Sequence, residues 1–275
     1  MRVVVAVVLL AISVYIAEAS IKIAAWNVQV LGVTKMGKPD VVDVIVDTCM
    51  LYDIIAIQEI RDASLSTPGN LLNAINAKAG GAFRMEVSER LGRSSSKEQY
   101  AVYYRHSKFS VIDRFTYADS NDFLERPNFN VRFSSPSTNL KDFVFSVTHV
   151  KPSDAVAEID HFVEVNSAIE SRWGVSDILI GGDYNAGCNY VRSGDWGRIR
   201  YRTDSKYQWL IPDSADTTVT TTNCPYDRLT IAGAKFKAEY KSNSAKVFNY
   251  DSYFGLSNQL ALDVSDHYPV EMVIN

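Results

Sequence analysis

The stretch Ile178-Leu179-Ile180-Gly181-Gly182-Asp183-Tyr184-Asn185 shows how this chain is organised: an apolar run ends in an acid and an amide. The short apolar run over residues 177–181 predicts a buried strand. Asp183 and Asn185 are two positions apart, so their side chains point the same way if the backbone stays extended. An Asx-type turn after a strand would account for the same residues without any function. This motif alone leaves both interpretations open.

Other segments have the same buried-strand character. Most are short apolar runs rather than strict alternations, which indicates sheets covered on both faces or two sheets stacked together. Helical patterns lie between some of them, and the longest has apolar positions at helical spacing. The predicted strands are 21–28, 53–60, 100–104, 142–150, 177–181, 228–232, 236–241 and 269–274, and the predicted helices are 39–51, 71–79 and 154–173. The order of elements predicts an α/β fold.

Acids, amides and histidines follow or precede the predicted strands, at the points where each strand ends. Ligands in α/β proteins bind where strands end, so we expect these side chains to form one composite site. The residues at strand ends are Asn27, Glu59, His149, Asp183, Asn185 and His267.

These residue types suit hydrolysis of a phosphodiester, which needs a hard cation, a base and an acid. Mg²⁺ and Ca²⁺ prefer carboxylate and amide oxygens, and histidine transfers protons near neutral pH. Among the histidines, His106 fits an ordinary loop position and His161 a solvated helix face. His149 and His267 are, by position alone, either buried histidines with satisfied hydrogen bonds or catalysts. The candidate oxygen ligands are Asn27, Glu59, Asp183, Asn185, Asp227 and Asp266.

The first residues predict a secretory signal peptide. Arg2 precedes an apolar run over 3–12, and Ala17-Glu18-Ala19 has the small-x-small pattern of a cleavage site. A membrane anchor is the alternative, but the run is short for a span, which needs about 20 residues. We expect cleavage after Ala19 or Ser20, so that residues 1–20 are removed. Residues 21–275 contain no linker or repeat and are predicted to form one secreted, extracellular domain.

The charge and the cysteines limit the possible functions. The formal net charge is −4, whereas a static nucleic-acid binder is usually basic. This charge still allows an enzyme whose site is neutralised by metal ions. An oxidising compartment favours one disulfide among the three cysteines. Cys49 lies in an apolar helical pattern, whereas Cys188 and Cys224 lie in polar, loop-like segments, so we expect these two to pair.

A threonine-rich segment, residues 217–223, follows Asp216. Hydroxyl and carbonyl oxygens of this segment could bind Ca²⁺ together with Asp216. An extended strand with one solvent-exposed face would explain the same composition.

Taken together, these motifs resemble the endonuclease/exonuclease/phosphatase superfamily. The motifs are Trp26-Asn27, Ile57-Gln58-Glu59-Ile60-Arg61-Asp62, Gly182-Asp183-Tyr184-Asn185 and Ser265-Asp266-His267-Tyr268-Pro269-Val270. Longer stretches at 21–25, 88–93, 152–158, 208–218 and 222–228 resemble the secreted deoxyribonuclease I family. The resemblance covers essentially the whole mature chain. It implies a four-layer α/β sandwich of two packed mixed β-sheets flanked by helices, and cleavage of double-stranded DNA with little sequence preference.

The resemblance also implies a role for individual residues. His149, paired with Glu98, matches the general acid that protonates the leaving 3′ oxygen and leaves 5′-phosphate ends. His267, paired with Asp227, matches the general base. Mg²⁺ or Mn²⁺ is implied for activity and Ca²⁺ for stability. Glu59 matches the main metal ligand; Asn27, Asp183, Asn185 and Asp266 match the surrounding metal and phosphate shell; Asp216 and Thr218 match a structural Ca²⁺ site; Arg61, Arg93, Arg126 and Asn185 match DNA contacts; Cys188 and Cys224 match a disulfide.

The sequence departs from the family at several positions. Ser96 stands where the family often has a tyrosine in the minor groove, and Gln29 stands where it has an arginine. The loop near 119–128 is shortened, so a second structural Ca²⁺ site is not expected. The charged Glu86 disfavours tight actin binding, and we expect a monomer that binds double-stranded DNA and no membrane.

Two other functions fit part of the pattern. One is another phosphodiesterase of the same superfamily, such as a sphingomyelinase-like enzyme, against which the long deoxyribonuclease-like stretches argue. The other is a secreted DNA-binding protein that has lost turnover. The acidic composition and the changes at Ser96 and Gln29 allow it, but the retained acids and histidines oppose it.

Overall fold

The computed structural model describes residues 20–136 and 138–275. The predicted signal peptide lies almost wholly outside the described residues. Within the part of the chain that is described, no helix is both long and apolar enough to cross a membrane.

The described chain forms two six-stranded mixed sheets. The first has the order β11-β12-β1-β2-β4-β3 and the second β5-β6-β7-β8-β10-β9. In chain order the strands are β1 Ile21–Leu31, β2 Ile54–Ile60, β3 Phe83–Val87, β4 Gln99–Arg105, β5 Ser110–Thr116, β6 Phe129–Ser135, β7 Lys141–His149, β8 Ile178–Asp183, β9 Gln208–Trp209, β10 Asp227–Ala232, β11 Lys246–Val247 and β12 Val270–Ile274. One parallel pair, β1–β2 in the first sheet and β7–β8 in the second, lies at the centre of each sheet.

Helices cover the outer face of each sheet, and one short helix, Ala234–Glu239, instead packs Phe236 into the apolar cluster between the sheets. The helices are α1 Val33–Met36, α2 Pro39–Met50, α3 Thr67–Ala79, α4 Ala155–Asp160, α5 Phe162–Trp173, α6 Arg200–Thr203, α7 Ala234–Glu239, α8 Tyr250–Phe254 and α9 Asn258–Val264. One buried apolar cluster lies between the two sheets, a second under α2, α3, α8 and α9, and a third under α4, α5 and α6. This arrangement is the four-layer α/β sandwich that the resemblance implied, and that expectation is confirmed.

The burial of β2 shows why its sequence is a continuous apolar run. Ile54 and Ala56 belong to the cluster between the sheets, whereas Ile55 and Ile57 belong to the cluster under the helices. Side chains of a strand alternate between the two faces, so a strand covered on both sides needs apolar residues at every position.

The helix predicted at 71–79 begins earlier, at Thr67, and the strands β3, β5 and β6 were not predicted. Two further predicted elements differ in type or continuity. Residues 236–241 were predicted as a strand, but α7 begins at Ala234, after a turn at Gly233 with φ 91°. Asp177 Oδ1 accepts a hydrogen bond from the Phe236 N–H near the start of this helix, at 2.9 Å. The predicted helix 154–173 is divided at His161 into α4 and α5.

Cys188 and Cys224 form a disulfide, as predicted, with 5.9 Å between their Cα atoms. Cys49 is a buried free thiol. The disulfide closes a sequence separation of 36 residues, which in the chain-entropy model contributes about 4 kcal/mol to the free energy of unfolding. It fastens the loop after β8 to the loop before β10.

Candidate active site

The predicted site residues converge at one end of the two sheets. Asn27 and Glu59 lie near the carboxyl ends of β1 and β2, and His149 and Asp183 end β7 and β8. The segment before β12 is held against β1, because Trp26 Nε1 donates to the His267 carbonyl at 2.8 Å. Ser265 Oγ donates to the carbonyl of Asn27 at 2.7 Å. Packing of the sheets therefore brings residues far apart in sequence to one place.

The two imidazoles face a common carboxylate. Asp183 Oδ2 lies 3.6 Å from His149 Nε2 and 3.7 Å from His267 Nε2. Asp183 reaches this point because β8 approaches β7 closely at Gly182, where a Cβ atom would lie 2.0 Å from the Thr148 carbonyl oxygen. Gly182 also has φ 144°, a conformation that glycine adopts without strain. The two Nε2 atoms therefore face one shared space.

His149 is paired with a buried carboxylate. Its Nδ1 lies 2.7 Å from Glu98 Oε1, and its backbone N–H donates to the Tyr100 hydroxyl at 2.9 Å. Arg126 Nε lies 3.1 Å and Arg61 Nε 3.8 Å from the other oxygen of Glu98. Burial lowers the pKa of His149, but the charge and hydrogen bond of Glu98 outweigh it, and the net shift of the pKa is upward.

His267 is paired in the same way with Asp227, whose Oδ2 lies 2.7 Å from His267 Nδ1. Asp227 is fixed in turn by Thr217, whose hydroxyl accepts from the Asp227 N–H at 3.2 Å. Burial lowers the pKa of His267, but Asp227, Asp183 and Asp266 together raise it well above the ordinary value.

Carboxylate and amide side chains line the same space. Asn27 Nδ2 lies between two carboxylates, 3.2 Å from Glu59 Oε1 and 3.1 Å from Asp183 Oδ2. Burial raises the pKa of Asp266, and Glu59 and Asp183 raise it further because like charges converge there. Hard oxygen donors around converging negative charge fit a divalent cation.

A geometric cluster of possible metal ligands comprises Asp183, Asp227 and His267, whose ligand atoms lie within 4.8 Å of one another. Asp227 and His267 are already hydrogen-bonded to each other at 2.7 Å. Beside Asp183 lie the other carboxylate and amide side chains of the site, those of Glu59, Asp266 and Asn27.

Several residues of the site have a left-handed backbone. Glu59 has φ 60° and Asn185 φ 50°. Such conformations cost about 1–3 kcal/mol each and persist only where the surrounding structure holds them. Asn185 is held by two hydrogen bonds, from its N–H to Asp183 Oδ1 at 2.8 Å and from its Nδ2 to the Val150 carbonyl at 2.9 Å.

The arginines predicted to contact DNA differ in their surroundings. Arg126 is largely buried between Glu98 and the His149 carbonyl, to which it donates at 3.2 Å. Arg61 is partly exposed and lies 3.2 Å from Glu59. Arg93 is engaged by acids of the neighbouring loop, with Nε 2.8 Å from Asp122 Oδ1. Arg61 and Arg126 therefore belong to the site, whereas Arg93 braces the loop beside it.

The predicted calcium ligands form an oxygen-rich loop next to His267. The N–H and hydroxyl of Thr218 donate to Asp216 Oδ1 at 3.0 and 2.8 Å. The Thr218 hydroxyl oxygen also lies against the Thr222 carbonyl oxygen. Thr218 forms a backbone bridge with His267, which connects this loop to the second imidazole pair.

Three supporting residues were not singled out from the sequence. Thr217 positions Asp227. Glu158 accepts from the N–H groups of Glu125 at 3.0 Å and Lys151 at 3.2 Å, and burial raises its pKa to about 7. Burial lowers the pKa of Lys35 to about 8. No local sequence pattern distinguishes these side chains from ordinary polar residues.

Comparison with known families agrees with this site and fold. The Endonuclease/Exonuclease/phosphatase family matches residues 24–267, and the chain belongs to that family. Within it the chain is similar to Deoxyribonuclease-1. It is 44% identical to the protein of Bos taurus over 260 residues, covering 93% of this chain and 92% of the relative. It is 45% identical to the Oryctolagus cuniculus protein and 44% to the Homo sapiens protein, with the same coverage.

Solved structures show the same fold at low sequence identity. The human Nocturnin catalytic domain with bound sulfate anion matches with a TM-score of 0.65 and 13% identity, covering 93% of this chain and 94% of that one. An endonuclease/exonuclease/phosphatase from Bacteroides vulgatus matches with a TM-score of 0.64 and 14% identity, covering 94% and 99%.

Proposed function

We propose that this chain is a secreted, divalent-metal-dependent endonuclease that hydrolyses phosphodiester bonds of double-stranded DNA with little sequence preference. The observation that carries the proposal is the convergence of two imidazoles, each backed by a buried carboxylate, on Asp183 at 3.6 and 3.7 Å. Similarity to Deoxyribonuclease-1 over 93% of the chain supports the choice of DNA as substrate.

The two imidazoles have complementary roles in this reaction. Each Nδ1 is hydrogen-bonded to a carboxylate, which fixes the tautomer and leaves Nε2 facing the substrate. His267 takes the proton from the attacking water, and His149 gives a proton to the leaving 3′ oxygen. The products then have 5′-phosphate ends.

The residues that would hold the cation are Glu59, Asp183, Asn27, Asp266 and Asn185. A bound Mg²⁺ or Mn²⁺ supplies Lewis-acid chemistry by neutralising charge on the phosphoryl oxygens. Arg61, Arg126 and Asn185 lie at this site and provide contacts to the DNA backbone, with Arg93 at its rim. Ser96 and Gln29 provide weaker contacts than a tyrosine and an arginine would.

The rest of the chain fits an extracellular monomer. Residues 1–20 would be removed as a signal peptide, and residues 21–275 would act as one catalytic domain. The disulfide supports an oxidising compartment. Glu86 forms an ion pair with Arg114, which keeps this edge of the first sheet charged and disfavours tight actin binding.

Nicking of supercoiled plasmid by the mature protein tests the proposal. We expect nicks in Mg²⁺ plus Ca²⁺, none in chelator, and nicked products that DNA ligase reseals because they carry 5′-phosphates. Sphingomyelin and phosphoinositide vesicles are assayed in parallel. Hydrolysis of lipid in place of DNA would identify a different phosphodiesterase, and DNA retention in Mg²⁺ without nicking would identify a binding protein.

We further propose that Asp216 and Thr218, with neighbouring oxygens, bind one stabilising Ca²⁺. Millimolar Ca²⁺ is expected to raise the melting temperature, because an ion that binds only the folded state stabilises it. Asp216→Asn should abolish that increase and leave the calcium-free melting temperature little changed. An increase of the same size in both proteins would place the ion elsewhere.

A further inference from the structure

Lys35 holds together two segments that carry proposed metal ligands. It lies in α1, and its Nζ donates to three backbone carbonyls, those of Val28 at 3.0 Å, Gln29 at 2.5 Å and Val264 at 2.8 Å. The first two carbonyls belong to the segment after Asn27, and the third lies two residues before Asp266. An ammonium has three N–H donors, and all three are used here. Lys35 therefore cannot bind a substrate phosphate without giving up one of these bonds.

The segment that Lys35 contacts has an unfavourable backbone. Gln29 has φ 34° and Val30 φ 54°, two consecutive left-handed residues, of which Val30 is β-branched. A β-branched residue at positive φ is rare because its side chain clashes with the backbone. Val30 is half exposed, so burial of its side chain does not explain the conformation. The contacts made by the backbone of this turn must hold it in place.

The turn directs backbone donors at two proposed ligands. The N–H of Gln29 donates to Asn27 Oδ1 at 2.9 Å, and the N–H of Val30 donates to Glu59 Oε2 at 3.0 Å. The carbonyls of Val28 and Gln29 face the opposite way and accept hydrogen bonds from Lys35 Nζ. If the turn relaxed to an ordinary extended conformation, both donors would leave Asn27 and Glu59.

We propose that Lys35 is a positioning residue that holds the turn at Val28–Val30 in its left-handed conformation and fixes it to the end of α9. In this way Glu59, Asn27 and Asp266 face the same cation. The inference rests on the proposed function only in treating these three residues as metal ligands. A planar guanidinium would not match three converging carbonyls as an ammonium does.

The test compares Lys35→Met with Lys38→Met. Lys38 lines the same cavity but forms only an exposed ion pair with Asp263 at 3.5 Å. For Lys35→Met we expect at least a tenfold increase in the Mg²⁺ concentration needed for half-maximal nicking. We also expect at least tenfold faster hydrogen exchange of the Val30 amide in metal-free protein. Lys38→Met should match the wild type in both. A folded Lys35→Met protein within twofold of wild type in both measurements would overturn the proposal.

A second substitution separates positioning from general loss of packing. Asparagine tolerates the left-handed region better than valine, so Val30→Asn should stabilise the turn without Lys35. Adding Val30→Asn to Lys35→Met should recover at least threefold of the lost Mg²⁺ affinity and slow exchange of the residue-30 amide. No recovery of either quantity would show that Lys35 acts by packing alone.

Two remaining outcomes are also decisive. If Lys35→Met does not fold, the single variant Val30→Asn tests the proposal instead. Slower hydrogen exchange of the residue-30 amide in that variant would support a strained turn, and unchanged exchange would contradict it. If wild-type protein does not cleave DNA, the proposed function fails, but the exchange measurements in metal-free protein still decide the role of Lys35.

Discussion

The two imidazole–carboxylate pairs have the same internal geometry but differ in part of the charge around them. Both carboxylates are buried, and each lies 2.7 Å from its histidine Nδ1. Asp183 lies beside both imidazoles, at 3.6 and 3.7 Å. The other charges differ: Glu98 of the His149 pair is contacted by the arginines Arg126 and Arg61, whereas His267 has the acid Asp266 beside it. Positive surroundings make an imidazolium a better proton donor, and negative surroundings make an imidazole a better acceptor. The difference supports His149 as acid and His267 as base.

The supports of the two pairs differ as well. Near His149, the carboxylate of Glu158 ties the loop that carries Arg126 to the segment after β7. Near His267, Thr217 and the disulfide at Cys224 fix the segment that carries Asp227. The half of the site around His149 is therefore held by an ionisable group, and the half around His267 by a covalent bond. A change of pH should alter the stability of the His149 half more than that of the His267 half.

The largest expected effect comes from removing either imidazole. Replacing His149 or His267 by alanine should reduce the nicking rate by about 10²–10⁴-fold, the usual contribution of general acid–base catalysis. The double variant should lose little more than the worse single variant, because the two groups act in one step. His161→Ala is the control, since His161 packs against Phe123 and Tyr117 outside the site. A folded single variant that still nicks DNA at a near-normal rate would contradict the catalytic role assigned to the histidine it lacks.

A smaller effect distinguishes the surroundings of the pairs. Glu98→Gln leaves His149 with burial and Arg126, which lower its pKa, and with Asp183, which raises it. Asp227→Asn leaves His267 with Asp183 and Asp266, which still raise its pKa. NMR titration of the imidazoles in metal-free protein should therefore show a lower pKa for His149 in Glu98→Gln than for His267 in Asp227→Asn. Equal pKa values in the two variants would mean that the remaining charges do not differ in effect.

The smallest effect concerns Glu158 and the stability of its half of the site. Burial raises its pKa to about 7 in the folded state, from 4.5. The stabilisation linked to its proton is thus complete below pH 4.5 and lost as the pH rises through 7. Relative to Glu158→Gln, the wild type should lose about 2–3 kcal/mol of unfolding free energy between pH 5 and pH 8.5. Urea unfolding at both pH values measures it, with the exposed Glu89→Gln as control. If the difference in unfolding free energy between the wild type and Glu158→Gln did not change with pH, the raised pKa of Glu158 would be contradicted.

Sequence-based prediction succeeded where an apolar run marks a strand. The strands β1, β2, β7 and β8 contain such runs and were predicted close to their observed bounds, whereas the buried strand β6, in which polar and apolar residues alternate, was missed. The strand β5 was missed because it is an edge strand with mostly exposed, polar positions. The segment at α7 was predicted as a strand because nothing local shows that Asp177 would accept from the backbone of the helix start.

The sequence by itself determined which residue types stand at the strand ends, and hence the kind of chemistry available. It also determined the apolar runs that must be buried between layers. Only the tertiary structure decided the pairing of Glu98 with His149, 51 positions apart, and of Asp227 with His267, 40 positions apart. The left-handed turn at Gln29 and Val30 likewise depends on carbonyl acceptors and a lysine brought together by α1 and α9. The reason is physical: hydrogen bonds and charges act over a few ångströms, and only the packing of the layers sets which distant residues come that close.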